Sequence, residues 1–190
     1  TLCEIYGVIV MSFLSKLNRM LKKVDSDIPR THGSIVILKD QKAWDAHGGS
    51  GGTSGWNARN LNTKYGNGDF VTGTFQGTSN SNTTFTIAPG DYYINFYAPL
   101  YYPDYGLHRL YNNTKSTTET ITCSQYAGSS SDQNVYHDGE AFVQIRGQAN
   151  SFQIEYNLQS AHGNYDLGFK QNIDGGLPSI FTTVIIKKLA

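Results

Sequence analysis

The chain has 190 residues and a mass of 21.0 kDa, which suits one principal domain with an appendage and excludes two full-sized domains. Asn, Ser and Thr supply 48 positions and Gly another 20, against only 30 Lys, Arg, Asp and Glu, a composition of strands and turns rather than of charged helices. Fifteen basic residues balance fifteen acidic ones, so the total charge gives no footing for nucleic acid, and 13 Tyr, nine Phe and two Trp argue against a disordered chain.

Residues 1–10 hold a short apolar run, Ile5 to Val10, far below the roughly 20 residues of a bilayer span. No membrane span is expected. Glu4 stands where a secretory signal would carry positive charge, and Met11-Ser12-Phe13 reads as a start of its own, so no functional reading rests on this stretch. From residue 11 to residue 24 the charges are Lys16, Arg19, Lys22 and Lys23 with no acid. Within that segment Phe13, Leu17, Met20, Leu21 and Val24 recur at three- and four-residue spacings, which predicts one amphipathic helix. So short a helix needs a surface on which to bury its stripe, and docking, oligomerisation, packing on its own domain and a basic membrane-surface role all remain open to it. Pro29 ends the segment, and residues 1–31 are read as an N-terminal unit separate from a head at 32–190.

After residue 32 no helical period recurs, and short alternations separated by Gly, Asn, Ser and Asp predict about ten strands. They are expected at Ile35–Leu38, Trp56–Leu61, Phe70–Phe75, Thr83–Ile87, Tyr92–Ala98, Leu107–Tyr111, Ile121–Ser124, Ala141–Arg146, Phe152–Gln159 and Phe181–Lys187. Ala88-Pro89-Gly90-Asp91 reads as a hairpin turn into Tyr92, and Gly147–Ser151 as a second one joining two antiparallel partners. Gly48–Gly55 reads as a flexible connection. The fold class that follows is all-β, an antiparallel two-sheet sandwich or jelly roll carrying the short N-terminal helix.

Catalytic patterns are missing: there is no Gly-x-Ser-x-Gly, no phosphate-cradling Gly-Lys-Ser/Thr loop and no His-Glu-x-x-His, so an enzyme is disfavoured and no cofactor is implied. Cys3 and Cys123 lie too far apart in sequence for a zinc motif, His32, His47, His108, His137 and His162 show no ligand spacing, and no metal is expected. His137-Asp138-Gly139-Glu140 is explained as a turn before a strand. Tyr97, Tyr101, Tyr102 and Tyr105 crowd a stretch interrupted by Pro99 and Pro103, read as a loop in which four Tyr cannot all be buried. Their rings suit an oligomer seam, a platform for sugar or protein, or ordinary packing. Trp56 and Arg59 are read as structural.

Several phrases then resemble one family. His32–Ala43, Gly48–Gly55 with Trp56-Asn57-Ala58-Arg59-Asn60-Leu61-Asn62-Thr63, Phe85–Ile94, His108–Asn112 and Val184–Lys188 follow in the order seen in the C-terminal domains of bacteriophage tail fibres and virion surface proteins. That family is similar to the trimeric jelly rolls of complement and tumour-necrosis-factor type. The resemblance covers residues 32–190 and implies a homotrimer without enzymatic activity on the surface of a virion. Capsid decoration, a short head fibre or a spike tip are the forms it implies, with other virion proteins and a host glycan or receptor as partners. The alternative left open is a secreted or cell-surface lectin-like module that binds glycans through the Tyr97–Tyr105 stretch.

Overall fold

The computed structural model describes residues 34–53, 55–75, 82–127, 134–161, 163–170 and 177–189. The helix expected over Phe13 to Val24 lies outside these residues. Twelve strands are present among them: β1 (Ile35–Lys42), β2 (Asn57–Ala58), β3 (Thr63–Tyr65), β4 (Val71–Thr72), β5 (Phe85–Ile87), β6 (Gly90–Tyr101), β7 (Asp104–Asn112), β8 (Thr117–Ile121), β9 (Gln125–Ala127), β10 (Asn134–Ile145), β11 (Asn150–Leu158) and β12 (Ser179–Lys188). All pairings are antiparallel. Sheet 1 runs β10-β6-β12-β1-β3, and sheet 2 runs β4-β5-β11-β7-β8, with β2 on β11 and β9 on β7.

The all-β expectation holds because strand alternation matches burial almost residue by residue. In β10, His137, Gly139, Ala141, Val143 and Ile145 point inward while Tyr136, Asp138, Glu140, Phe142 and Gln144 face out. The same rule drives Tyr92, Ile94 and Phe96 of β6 and Phe152 and Ile154 of β11 into one core between the sheets. A smaller cluster of Leu100, Tyr156, Leu158 and Leu167 closes one end.

Both expected hairpins are absent. β5 belongs to sheet 2 and β6 to sheet 1, and β10 and β11 are likewise divided, so both turns carry the chain from one sheet to the other. Local turn chemistry fixes where a chain reverses, while burial of the whole strand decides which sheet receives it. The Asp138-Gly139 turn is not formed either, because both residues lie inside β10, opposite Tyr97 and Phe96. Glycine is there because a Cβ at 139 would stand 2.4 Å from the Phe96 ring.

The strands expected at 56–61 and 70–75 shrink to two residues each, with isolated backbone bonds beside them, Arg59 N–H to Ile154 O at 2.7 Å and Ala88 N–H to Phe70 O at 2.9 Å. Asn62, just past the first, accepts from the Gln41 amide at 2.9 Å and donates to the Gln41 carbonyl at 2.7 Å, beside a bulge in β1. Residues 122–124 fall between β8 and β9 rather than forming a strand. Nor is the glycine stretch a loose connection. Gly51 donates to the Asp166 carboxylate at 2.8 Å and Gly52 to the Tyr156 hydroxyl at 3.0 Å, and a Cβ at Gly48 would meet the Leu167 carbonyl at 2.4 Å.

Candidate interaction surfaces

Strand register places the outward residues of sheet 1 in rows. One row runs Phe142, Tyr93, Lys187, Ile35; the next runs Glu140, Asn95, Ile185, Ile37, Tyr65; a third runs Asp138, Tyr97, Thr183, Lys39. Phe142 is 75% exposed, and Ile35, Tyr65 and Tyr97 are each close to half exposed. Single exposed apolar residues are ordinary, but here they tile one face across five strands. Its side chains contact one another: Tyr93 packs on Phe142 at 5.1 Å, Tyr97 stacks on Tyr136 at 5.1 Å and 11°, and the Asn95 amide donates to Asp138 at 2.7 Å. Its charge is segregated. Asp138 and Glu140 lie on edge strand β10, whereas Lys39 and Lys187 stand on the β1–β12 side.

The four tyrosines singled out from sequence do not form one platform. They lie mostly on strands, since the chain stays extended through Tyr101, crosses to sheet 2 at Tyr102-Pro103, and is extended again from Asp104. Pro99 is tolerated because the β12 ladder on β6 has ended at Tyr97. Tyr97 belongs to the outer face of sheet 1. Tyr101 is buried, stacked on Phe169 at 4.9 Å and edge-on to Tyr165 at 5.4 Å. Tyr102 is half-buried in the corner, 4.1 Å from Tyr101. Tyr105 points away from sheet 2 and packs on Tyr126 at 5.2 Å, both more than half exposed.

Trp56 and Arg59 have definite structural roles. Trp56 carries the Arg109 guanidinium 4.1 Å above its ring, Tyr111 holds the other side at 4.4 Å, and Glu155 accepts from Arg109 Nε at 2.5 Å. Arg59 is fully buried and donates to Thr182 Oγ1, Pro99 O, Leu167 O and Phe181 O at 2.9–3.1 Å. Burial lowers its proton affinity to about 10, opposed by the attraction of Asp40, so it remains a cation. The Asp40 carboxyl is itself raised by burial, against the pull of Arg59 and of Lys42, whose ammonium lies 3.4 Å away.

Sequence reasoning passed over His108 and His137, which meet between the sheets with ring centroids 4.9 Å apart. Their inward placement was legible in the alternation of β7 and β10. Their pairing was not, because it depends on which sheets receive the two strands. Among the described residues no three His, Cys, Asp or Glu side chains converge as a metal site, and no helix is long and apolar enough to cross a membrane.

No family model matches the chain, and no curated protein matches it. Among solved structures, murine APRIL at pH 8.0 superposes with a TM-score of 0.50 at 8% identity over 82% of this chain and 98% of that one. Murine APRIL at pH 5.0 gives a TM-score of 0.49 at 9% identity over 83% and 99%. The globular domain of zebrafish complement 1qA protein gives a TM-score of 0.43 at 12% identity over 83% and 95%. Two antiparallel sheets in this order, superposable on murine APRIL along nearly the whole length of that chain, make the fold an antiparallel two-sheet jelly roll.

Proposed function

We propose that the chain is a non-catalytic, self-associating recognition module: a homotrimer held together through the outer face of sheet 1 and displayed on a virion surface, where it decorates the particle or contacts a host. The observation that carries the association is the exposed apolar tiling of that face, with Phe142, Ile185 and Ile35 on three different strands. Segregation of Asp138 and Glu140 from Lys39 and Lys187 favours head-to-tail contact, in which an acidic edge meets a basic side and the ring closes on itself. A subunit count of three and the virion setting are supported by the phrase-level resemblance described above.

Native mass of the full chain tests the association, compared with Phe142→Ser/Ile185→Asp. The expected result is a trimer that becomes a folded monomer in the double variant. A wild-type monomer at micromolar concentration would sink the reading. A second reading, glycan binding, is favoured by the exposed, stacked Tyr97 and Tyr136 rings, whose flat faces suit sugar. A glycan array on the full chain separates the two, because rings buried in a trimer leave no sugar signal.

A further inference from the structure

His108 of β7 and His137 of β10 are 0% and 1% exposed and approach each other from opposite sheets. His137 Nε2 lies 3.0 Å from the Gly106 carbonyl, which makes that nitrogen the donor. Its Nδ1 and both ring nitrogens of His108 have no hydrogen-bond partner among the described residues. As neutral rings the pair packs between the sheets. A second proton on either ring creates a cation with no water to solvate it.

The surrounding charges worsen that cation. Arg59 approaches from the segment after β2 and opposes protonation of both rings. Tyr156 of β11 offers an aromatic ring 6.4 Å from His108, and the Thr122 hydroxyl is taken up by the His108 backbone amide at 2.9 Å. Asp40 of β1 acts on Arg59, and among the described residues no carboxylate bonds either imidazole. Burial, with Arg59, holds His137 at about 4 despite the Gly106 carbonyl, and holds His108 well below its ordinary range.

The apolar core is also smaller at this end of the sandwich. The main core is extensive, whereas here only Leu100, Tyr156, Leu158 and Leu167 form a cluster. The β6–β7 corner is turned by Tyr102 and Asp104 at φ of 49° and 52°, a left-handed conformation that strains a residue with a Cβ.

We propose that the His108–His137 pair is a proton-operated latch whose protonation opens the β6–β7 corner while the main core stays closed. In the open form the rings meet water and titrate near 6.5. In the closed form they accept protons only at lower pH. Opening is therefore favoured progressively as pH falls below about 6.5, and the His137 contribution levels off below about 4. Asp40, raised in the closed form, works in the opposite sense at the acidic end of that window. Tyr136 adjoins His137 on β10, so an open corner disturbs the outer face of sheet 1 as well.

Amide hydrogen exchange on the full chain from pH 7.5 to pH 4.5, corrected for the intrinsic exchange rate, tests the latch. Around residues 100–108 and 134–141 the open population is expected to rise by up to about a hundredfold per pH unit, a factor of ten for each proton taken up. Segments around Val36, Ile94 and Val184 are expected to hold their protection. His108→Phe and His137→Gln, the latter keeping a donor for Gly106, should each lower the dependence to about tenfold, and the double variant should remove it. Equal pH dependence in wild type and double variant, or simultaneous loss of corner and core, would overturn the proposal. Should the variants fail to fold, ring titration of the wild type by NMR decides: closed-state values well below 6.5 support the latch, and ordinary values refute it.

Discussion

Arg59 Nε donates to the Thr182 hydroxyl at 2.9 Å, fixing a side chain carried by sheet 2 to the last strand of sheet 1. With its bonds to Pro99, Leu167 and Phe181, this one guanidinium ties three segments of backbone at the end where the main core stops. Arg59→Met is therefore expected to cost about 3–5 kcal/mol, since it strands buried acceptors and removes a charge whose attraction favours the buried Asp40 carboxylate. Arg59→Lys should recover little, because an ammonium cannot reproduce a planar fork of donors. Urea denaturation measures both, and a loss below about 1 kcal/mol in Arg59→Met would show that the network is not structural.

The contact between Gly139 and Phe96 yields a second prediction. Phe96 is fully buried, so its ring has no room to retreat from a new Cβ. Gly139→Ala should destabilise by about 1–3 kcal/mol, and shortening the ring with Phe96→Leu should make the same change cheaper. Additive losses in the double-mutant cycle would place the strain elsewhere.

These two sites also show how far sequence reading reaches. Alternation in Ala141–Arg146 and Phe152–Gln159 was enough to give strands, facing and fold class, because one buried face imposes a period of two, although the first strand begins seven residues earlier than that alternation suggests, at Asn134. Partners were not legible, since Gly139 and the Ala88–Asp91 stretch look like turn chemistry locally and acquire their roles only when strands 40 residues apart are paired. The resemblance phrase Trp56–Thr63 marked positions that matter, but its reason is long-range: Arg59 answers to Thr182, and Asn62 to Gln41. The separate surroundings of the tyrosines were not legible, because Pro99 and Pro103 suggested a loop, whereas β6 runs on through Pro99 and keeps Tyr97 and Tyr101 on one face, the first exposed and the second covered by Phe169 and Tyr165.

Arg109 lies between Trp56 and Tyr111, which makes Trp56 a reporter of sheet 2. Arg109→Lys is expected to cost about 1 kcal/mol, because an ammonium does not stack on two rings while pairing Glu155. In a Trp44→Phe background only Trp56 emits, and its spectrum should shift in Arg109→Lys with the fold intact. An unchanged spectrum would mean that the guanidinium does not rest on the indole.

The segregated charges of sheet 1 make association sensitive to salt in a way that apolar contact alone does not. Screening extends about 8 Å at physiological ionic strength and about 3 Å at 1 M, so salt weakens attraction between an exposed acidic edge and a basic side. Asp138→Lys/Glu140→Lys should lower the association constant at least tenfold by sedimentation, at a cost to folding of about 1 kcal/mol or less, because both side chains are exposed. Adding Lys39→Glu/Lys187→Glu restores opposite charges across a head-to-tail contact and should recover assembly. Recovery would identify the edge-to-side arrangement, since contact between like edges leaves both pairs of reversals harmful. If the acid-reversed variant assembles as wild type does in low salt, β10 is not at the contact and sheet 1 associates through its central strands alone.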